Sequence, residues 1–292
     1  MKAALAITVA VVCGAGVAAF DADRPNPAPP LETLLARASA YVERYKNDFA
    51  LVISDEDYTQ RLSGPRASRE AERERRTRAE MLFMWMSDEH AWLTVRNMQS
   101  VDGRAVADGQ LRFNQILSES VDNPASRVQR LRRLRDESAR YNLGSIVRNM
   151  NFPTLVLQFL ETDMQPRFLF LLAGPDRIDG VPVWRVSYHE RRRPTFIQGE
   201  AGAPRPASGA VWIAEADGTI LRSKLHLAVT KTQTSVAVTV DYRRDEKLQM
   251  WVPARMQESY VDGSRGRFVE KIDCVAVYSN FRRFETSARI VP

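Results

Sequence analysis

From Arg167 to the C-terminus the sequence is written in a period of two, cut at short intervals by turn dipeptides. Such alternation puts one set of side chains on each face of an extended segment, which a helix cannot do. In 183–189, Trp184, Val186 and Tyr188 point one way, and Arg185, Ser187 and His189 the other. In 219–230, Leu221, Leu225, Leu227 and Val229 form one face, and Arg222, Lys224 and His226 the opposite one. Segment 233–242 places Val236, Val238, Val240 and Tyr242 together. Asp179-Gly180, Asp217-Gly218 and the stretch Asp262-Gly263-Ser264-Arg265-Gly266 are turn signals between these runs, so consecutive strands should pair as antiparallel hairpins. A long loop rich in Gly, Pro and Arg (191–208) interrupts them. Strands over 248–252, ending at Pro253, then 256–261, 267–278 and 281–290 complete the series.

The N-terminal half adds helices. Leu31, Leu34, Leu35, Ala38, Val42 and Tyr45 recur at spacings of three and four, which predicts an amphipathic helix over 31–46. Residues 49–53 read as a strand, with 58–62 as its hairpin partner across Ser54-Asp55-Glu56-Asp57. The block 66–78 is nearly all charge and reads as a solvated loop or helix face. Segments 81–86 and 92–98 read as strands, with a turn at Asp102-Gly103. Asp108 caps an expected helix to about residue 117, and Asn123-Pro124 starts another to 142 or 143. The second helix carries Val128, Leu131, Leu134 and Tyr141 on one stripe and six arginines off it, with Gly144 as its C-terminal cap. Residues 154–160 are apolar nearly all round and must be buried. Segments 81–86, 167–172 and 274–277 are apolar on both faces, as expected of a curved sheet whose concave side holds helices and a cavity.

The first residues read as an export signal. Lys2 precedes an apolar run, and Val17-Ala18-Ala19 fits a small-residue cleavage site. The run is shorter than the about 20 residues that a membrane span needs. The reading divides the chain into a signal peptide (1–19), a Pro-rich leader (20–30) and one domain (31–292) with a helical insert at about 108–160. It places the protein in the periplasm or outside the cell. Of the two cysteines, Cys13 falls in the signal and Cys274 stands alone, so no intramolecular disulfide is expected. Cys274 alternates with Ile272 and Ala276 as a small core residue. The net charge of +6 comes almost entirely from arginine. RNA-binding signatures are absent and no nucleic-acid partner is expected, while peripheral contact with an anionic membrane surface is compatible with the charge.

No catalytic constellation is written in the chain. Gly-x-Ser-x-Gly, His-Glu-x-x-His and a phosphate-binding glycine loop are all missing. His90, His189 and His226 are scattered, and Asp88-Glu89-His90 are adjacent residues of a kind that seldom converge on one ion. Neither a metal nor a cofactor is expected, and the chain does not read as an enzyme.

An amphipathic helix at 31–46, a strand at 48–53 and then antiparallel hairpins form a recognisable order. Val211-Trp212-Ile213-Ala214 leads through Asp217-Gly218-Thr219 into Ile220-Leu221-Arg222. In this the chain resembles the periplasmic lipoprotein-sorting carriers of the LolA/LolB type. The block Glu137-Ser138-Ala139-Arg140-Tyr141-Asn142-Leu143-Gly144 with Pro153-Thr154-Leu155 also resembles uncharacterised exported bacterial proteins of similar layout. The chain departs from the carriers in its greater length, its helical insert and the absence of a lipobox at Cys13. The resemblance implies a half-open antiparallel barrel, covered by helices, whose interior takes up lipid chains.

The expected architecture is α+β: a strongly curved antiparallel sheet of about ten strands, with helices on its concave side. The expected function is a non-catalytic carrier or binding protein of the cell envelope for lipid, acyl chains or lipoproteins. Each buried methylene contributes about 0.8 kcal/mol, so a flexible apolar cavity suffices. Met81, Phe83, Trp85, Phe168, Phe170 and Trp184 are the expected cavity wall, with Leu155, Leu157, Phe159 and Leu160 as lid. The alternative is a structural or regulatory envelope protein that binds another protein through its sheet edge or arginine-rich helix.

Overall fold

Strands form where the period of two holds, and turn dipeptides set their ends. The computed structural model describes residues 28–64, 74–107, 124–146, 148, 151–199, 202–229, 234–263 and 269–284. Among these, helix α1 spans Leu31–Phe49 and α2 spans Pro124–Ser138. The strands are β1 (Val52–Ser63), β2 (Glu74–Met86), β3 (Ala91–Val101), β4 (Arg104–Ala105), β5 (Phe168–Ile178), β6 (Val181–Glu190), β7 (Ile197–Gln198), β8 (Pro204–Arg205), β9 (Ala207–Ala214), β10 (Ile220–Val229), β11 (Thr234–Asp245), β12 (Met250–Asp262) and β13 (Glu270–Arg283). The expected signal, most of the leader, the helix from Asp108, the charged residues 66–73 and the end of the last strand lie outside the described residues.

Eleven strands join in one sheet in the order β4-β3-β2-β1-β13-β12-β11-β10-β9-β6-β5, while β7 and β8 form a separate small ribbon. Every described pairing is antiparallel. The tight turns Asp102-Gly103 and Asp179-Gly180 have positive φ at both residues, the backbone that a two-residue hairpin requires.

The amphipathic stripe of α1 lies on one face of the sheet, where Leu34, Ala38, Val42, Tyr45 and Phe49 join the main core. Each large apolar side chain buried there contributes about 1.5–3 kcal/mol. The helix presses on the β9–β10 turn: a Cβ at Gly218, where φ is +78°, would fall 2.2 Å from the Arg37 carbonyl oxygen. The other helix lies on the opposite face. Leu131 of α2 packs with Ile53, Leu82, Leu93 and Val95. Leu82 points away from its neighbours Met81 and Phe83, which face the main core, because successive strand residues alternate. Segment 81–86 is thus apolar on both faces because each face carries a helix.

Several expectations are corrected. Residues 54–57 do not turn: β1 runs straight through them. Ser54 and Glu56 point inward and are buried, and the Glu56 carboxylate belongs to a buried ion pair with Arg96 and not to a loop. Residues 74–78, read as a loop or helix face, open β2. Pro253 does not end its strand. It sits opposite Tyr242 at a bulge in β12, where no ladder N–H is required of it. Phe281 continues β13 instead of starting a new strand. A bulge between Ile220 and Arg222 moves Leu221 off the face of Leu225, into an outer group with Ile178, Val183, Trp212 and Ala214. Segments 167–172 and 274–277 are not buried on both sides, since Leu171 is 56% and Val277 45% exposed. Helices do not all share one side, as α2 shows.

Candidate functional site

The register lines up one inner-face row across nine strands: Phe170, Tyr188, Gly209, Leu225, Val238, Glu258, Cys274, Gln60 and Arg75. Side chains directly opposite in adjacent strands touch, so such a row is a continuous surface. It is apolar from Phe170 to Val238 and polar from Glu258 onward. The next row repeats the apolar part with Ala207, Leu227, Val236, Tyr260, Ile272 and Leu62.

A cavity of about 190 Å³ sits where the first row changes character. Its floor is Leu225, Leu227, Val236 and Val238, from the neighbouring strands β10 and β11. Leu155 and Ile197 close its apolar side, and Tyr260 the far wall. Polar groups come from Arg148, Asn151, Gln198, Arg205, Thr234 and Ser235, and no carboxylate is among the described lining residues. The Arg205 guanidinium lies against Gly199, where a Cβ would come within 2.7 Å of its nitrogen.

The polar end is built around Arg148, which is 4% exposed. Its guanidinium donates to Gln60 Oε1 and, at 3.6 Å, to Cys274 Sγ, and lies 5.6 Å from the Tyr260 ring centre. Gln60 Oε1 also accepts the Leu143 amide at 2.8 Å, which ties the segment before Arg148 to β1. Arg148 Nε has no hydrogen-bond partner among the described residues, nor does Oε1 of the nearby Glu258. Burial raises the Glu258 carboxyl above its usual range, against the hydrogen bond from the Tyr260 hydroxyl and the attraction of Arg96 and Arg148. Burial, reinforced by Glu258, pushes the Cys274 thiol up to about 12. It therefore stays protonated and unreactive.

Asn151 is held in place by a second buried unit. Arg96 forms a two-pronged pair with Glu56, at 2.7 and 3.1 Å. The same guanidinium donates to Asn151 Oδ1 at 3.0 Å and to its carbonyl at 2.8 Å. The Tyr242 hydroxyl donates to the Pro153 carbonyl at 2.7 Å. These bonds fix the chain entering the 3₁₀ segment Leu155–Leu160. At its far end Glu161 pairs with Lys46 of α1 at 3.1 Å.

Of the residues singled out from the sequence, Leu155 lines this cavity. Leu157, Phe159, Leu160, Met81, Phe83, Phe168 and Phe170 lie in the main core, with Trp85 and Trp184 packed against it. Phe159 stacks on Phe168 with ring centres 4.7 Å apart. Trp184 also borders an open groove of about 930 Å³, with Arg37, Asp176 and Glu215. In that groove Glu215 accepts the Trp184 indole N–H at 2.9 Å, and Asp176 that of Trp212 at 2.7 Å. Arg148, Arg205, Thr234 and Ser235 escaped the sequence reading. None sits on a periodic apolar stripe, and no local motif marks them.

His90, His189 and His226 are exposed. Among the described residues, no three His, Cys, Asp or Glu side chains gather closely enough to hold a metal ion. Among them, no helix is long and apolar enough to cross a membrane.

No protein-family model and no curated protein matches the chain. Solved structures do. A DUF1329 family protein from Desulfovibrio piger is 10% identical at a TM-score of 0.39, over 90% of this chain and 96% of that one. A domain from Vibrio parahaemolyticus named for outer membrane lipoprotein sorting is 11% identical at a TM-score of 0.38, over 87% and 95%. The Mycobacterium tuberculosis lipoprotein LppX is 9% identical at a TM-score of 0.27, over 88% and 98%. Identities and scores are low throughout.

Proposed function

We propose that this chain is a non-catalytic binding or carrier protein of the cell envelope that takes an apolar chain into the cavity between β10–β12 and the segment ending at Leu155. In this reading residues 31–292 act as one unit, and the sheet as a half-open barrel whose inner face is the binding surface. The observation that carries it is the apolar floor of Leu225, Leu227, Val236 and Val238 in a cavity of about 190 Å³. An apolar floor gains about 25 cal/mol for each Å² that a ligand covers. The space is smaller than the roughly 300–1,000 Å³ of ordinary ligand pockets. A long acyl chain would therefore need Leu155, Leu157, Phe159 and Leu160 to yield as a lid. That movement would uncover Met81, Phe83, Trp85, Phe168, Phe170 and Trp184 as further wall.

Native mass spectrometry of the chain purified from its envelope, followed by lipid extraction, tests the reading. The expected result is co-purified lipid or stoichiometric uptake of an apolar dye, reduced by the cavity-filling Val236→Phe. Bare protein that refuses the dye would sink it.

The second reading, a protein partner bound at the sheet edge, is favoured by β5. This edge strand spans Phe168–Ile178 and carries the exposed Leu171. Exposed edges of this kind accept an added strand. Leu171→Lys should then abolish partner capture and leave dye uptake intact.

A further inference from the structure

Arg148 is a buried cation that Glu258 attracts without an ion-pair contact. It forms no ion pair with a described carboxylate, and its Nε has no partner among the described residues. The closest acid in the row, Glu258, is itself buried and keeps one oxygen unpartnered. A buried guanidinium is costly to desolvate unless an anion closes on it. Arg148 lines the cavity. So does Arg205, on β8, whose side-chain bond to a described residue is a long one to the Pro204 carbonyl, at 3.3 Å. Two guanidinium groups thus border one small space in which no described lining residue is acidic. Guanidinium groups match carboxylate and phosphate oxygens in charge and geometry. The opposite side of the same space is aliphatic.

We propose that Arg148 and Arg205 bind the anionic head group, carboxylate or phosphate monoester, of a single-chain amphiphile whose tail lies on Leu225, Leu227, Val236 and Val238. This rests on the apolar-binding reading above and names its ligand class. At about 190 Å³ the cavity holds only part of one long chain before the Leu155–Leu160 segment yields, so a single-chain ligand demands the least movement. A head group seated against Arg148 adds an acceptor for its Nε, unpartnered among the described residues, and a negative charge in ion-pair contact, so its binding is favoured by relief of an existing cost as well as by new hydrogen bonds.

The test titrates the full chain at pH 8 with oleate, oleyl alcohol, oleoyl lysophosphatidate and inorganic phosphate, with the lipids below their micelle concentrations. Oleate, lysophosphatidate or both should bind at least tenfold more tightly than the alcohol of equal chain length, and phosphate alone should neither bind nor compete. The better of the two anionic lipids identifies the head group. In Arg148→Gln and Arg205→Gln the ratio of anion to alcohol affinity should fall toward one. The Arg205 variant, at the half-buried position, keeps the test open if the Arg148 variant does not fold. Equal binding of oleate, lysophosphatidate and alcohol by the unaltered chain would overturn the head-group proposal and leave apolar binding standing. Tight binding of inorganic phosphate by itself would replace the amphiphile with a free-anion site. Failure of all the lipids would overturn the apolar reading too.

Discussion

Arg148 and Gln60 are joined by a hydrogen bond from the guanidinium to the amide oxygen, and that oxygen simultaneously accepts the Leu143 N–H at 2.8 Å. One side chain on β1 therefore places both the cavity's buried cation and the chain that leads to it. Gln60→Leu keeps the volume and removes the acceptor. Two buried donors are then orphaned, at about 1–3 kcal/mol each. A loss of about 3 kcal/mol in urea denaturation is expected. A change under 1 kcal/mol would mean that Gln60 does not hold this segment.

Glu258 gives the protein a pH-dependent stability. Burial raises its carboxyl in the folded state above the ordinary value of about 4.3. The folded form thus holds its proton more tightly than the unfolded chain. The contribution of this group is fully present below the unfolded pKa and is lost as pH rises through the folded one. Glu258→Gln should remove that loss, so the variant's stability relative to the unaltered chain should improve as pH is raised from 4 toward neutrality. Parallel melting-temperature curves for the two proteins over that range would contradict the assignment.

The Tyr188 hydroxyl donates to the Lys224 carbonyl at 2.8 Å by crossing the bare backbone of Gly209. A Cβ at Gly209 would lie 1.9 Å from that carbonyl oxygen and 2.7 Å from the hydroxyl. Gly209→Ala should cost about 3 kcal/mol, the upper end of overpacking. Tyr188→Phe should cost about 1 kcal/mol, one hydrogen bond. Equal costs in chemical denaturation would show that the close approach is not the constraint.

Leu157 is 1% exposed in the 3₁₀ segment beside the cavity. Leu157→Ala should destabilise by about 2–5 kcal/mol, as large-to-small core changes do. If the segment is a lid, the loosened variant should also take up a longer apolar probe more tightly. Lower stability with unchanged uptake of long and short probes would make the segment ordinary core.

Much of the sheet was legible because alternation and turn dipeptides are local signals. Asp102-Gly103 and Asp179-Gly180 turn where they were read, and the α1 stripe buries as its spacing predicts. The misreadings share a cause. Ser54 and Glu56 resemble a turn until Arg96, forty residues away in sequence, is seen to neutralise Glu56. Pro253 and Leu221 obey the register of their partner strands, and bulges are not written in either strand alone. The wall residues named from sequence were Met81 and five aromatics. Large side chains fill space, and the cavity is bordered instead by medium-sized Leu and Val with two arginines from irregular or very short elements. Their convergence depends on contacts that no window of the sequence contains.

The most direct measurement is a titration of the full chain with a fluorescent single-chain acyl probe, compared with Val236→Phe. Filling the cavity should leave the melting temperature within a few degrees and abolish a saturable one-to-one signal seen with the unaltered chain. An unchanged signal in the filled variant, or no saturable signal in either protein, would contradict the cavity as the binding site.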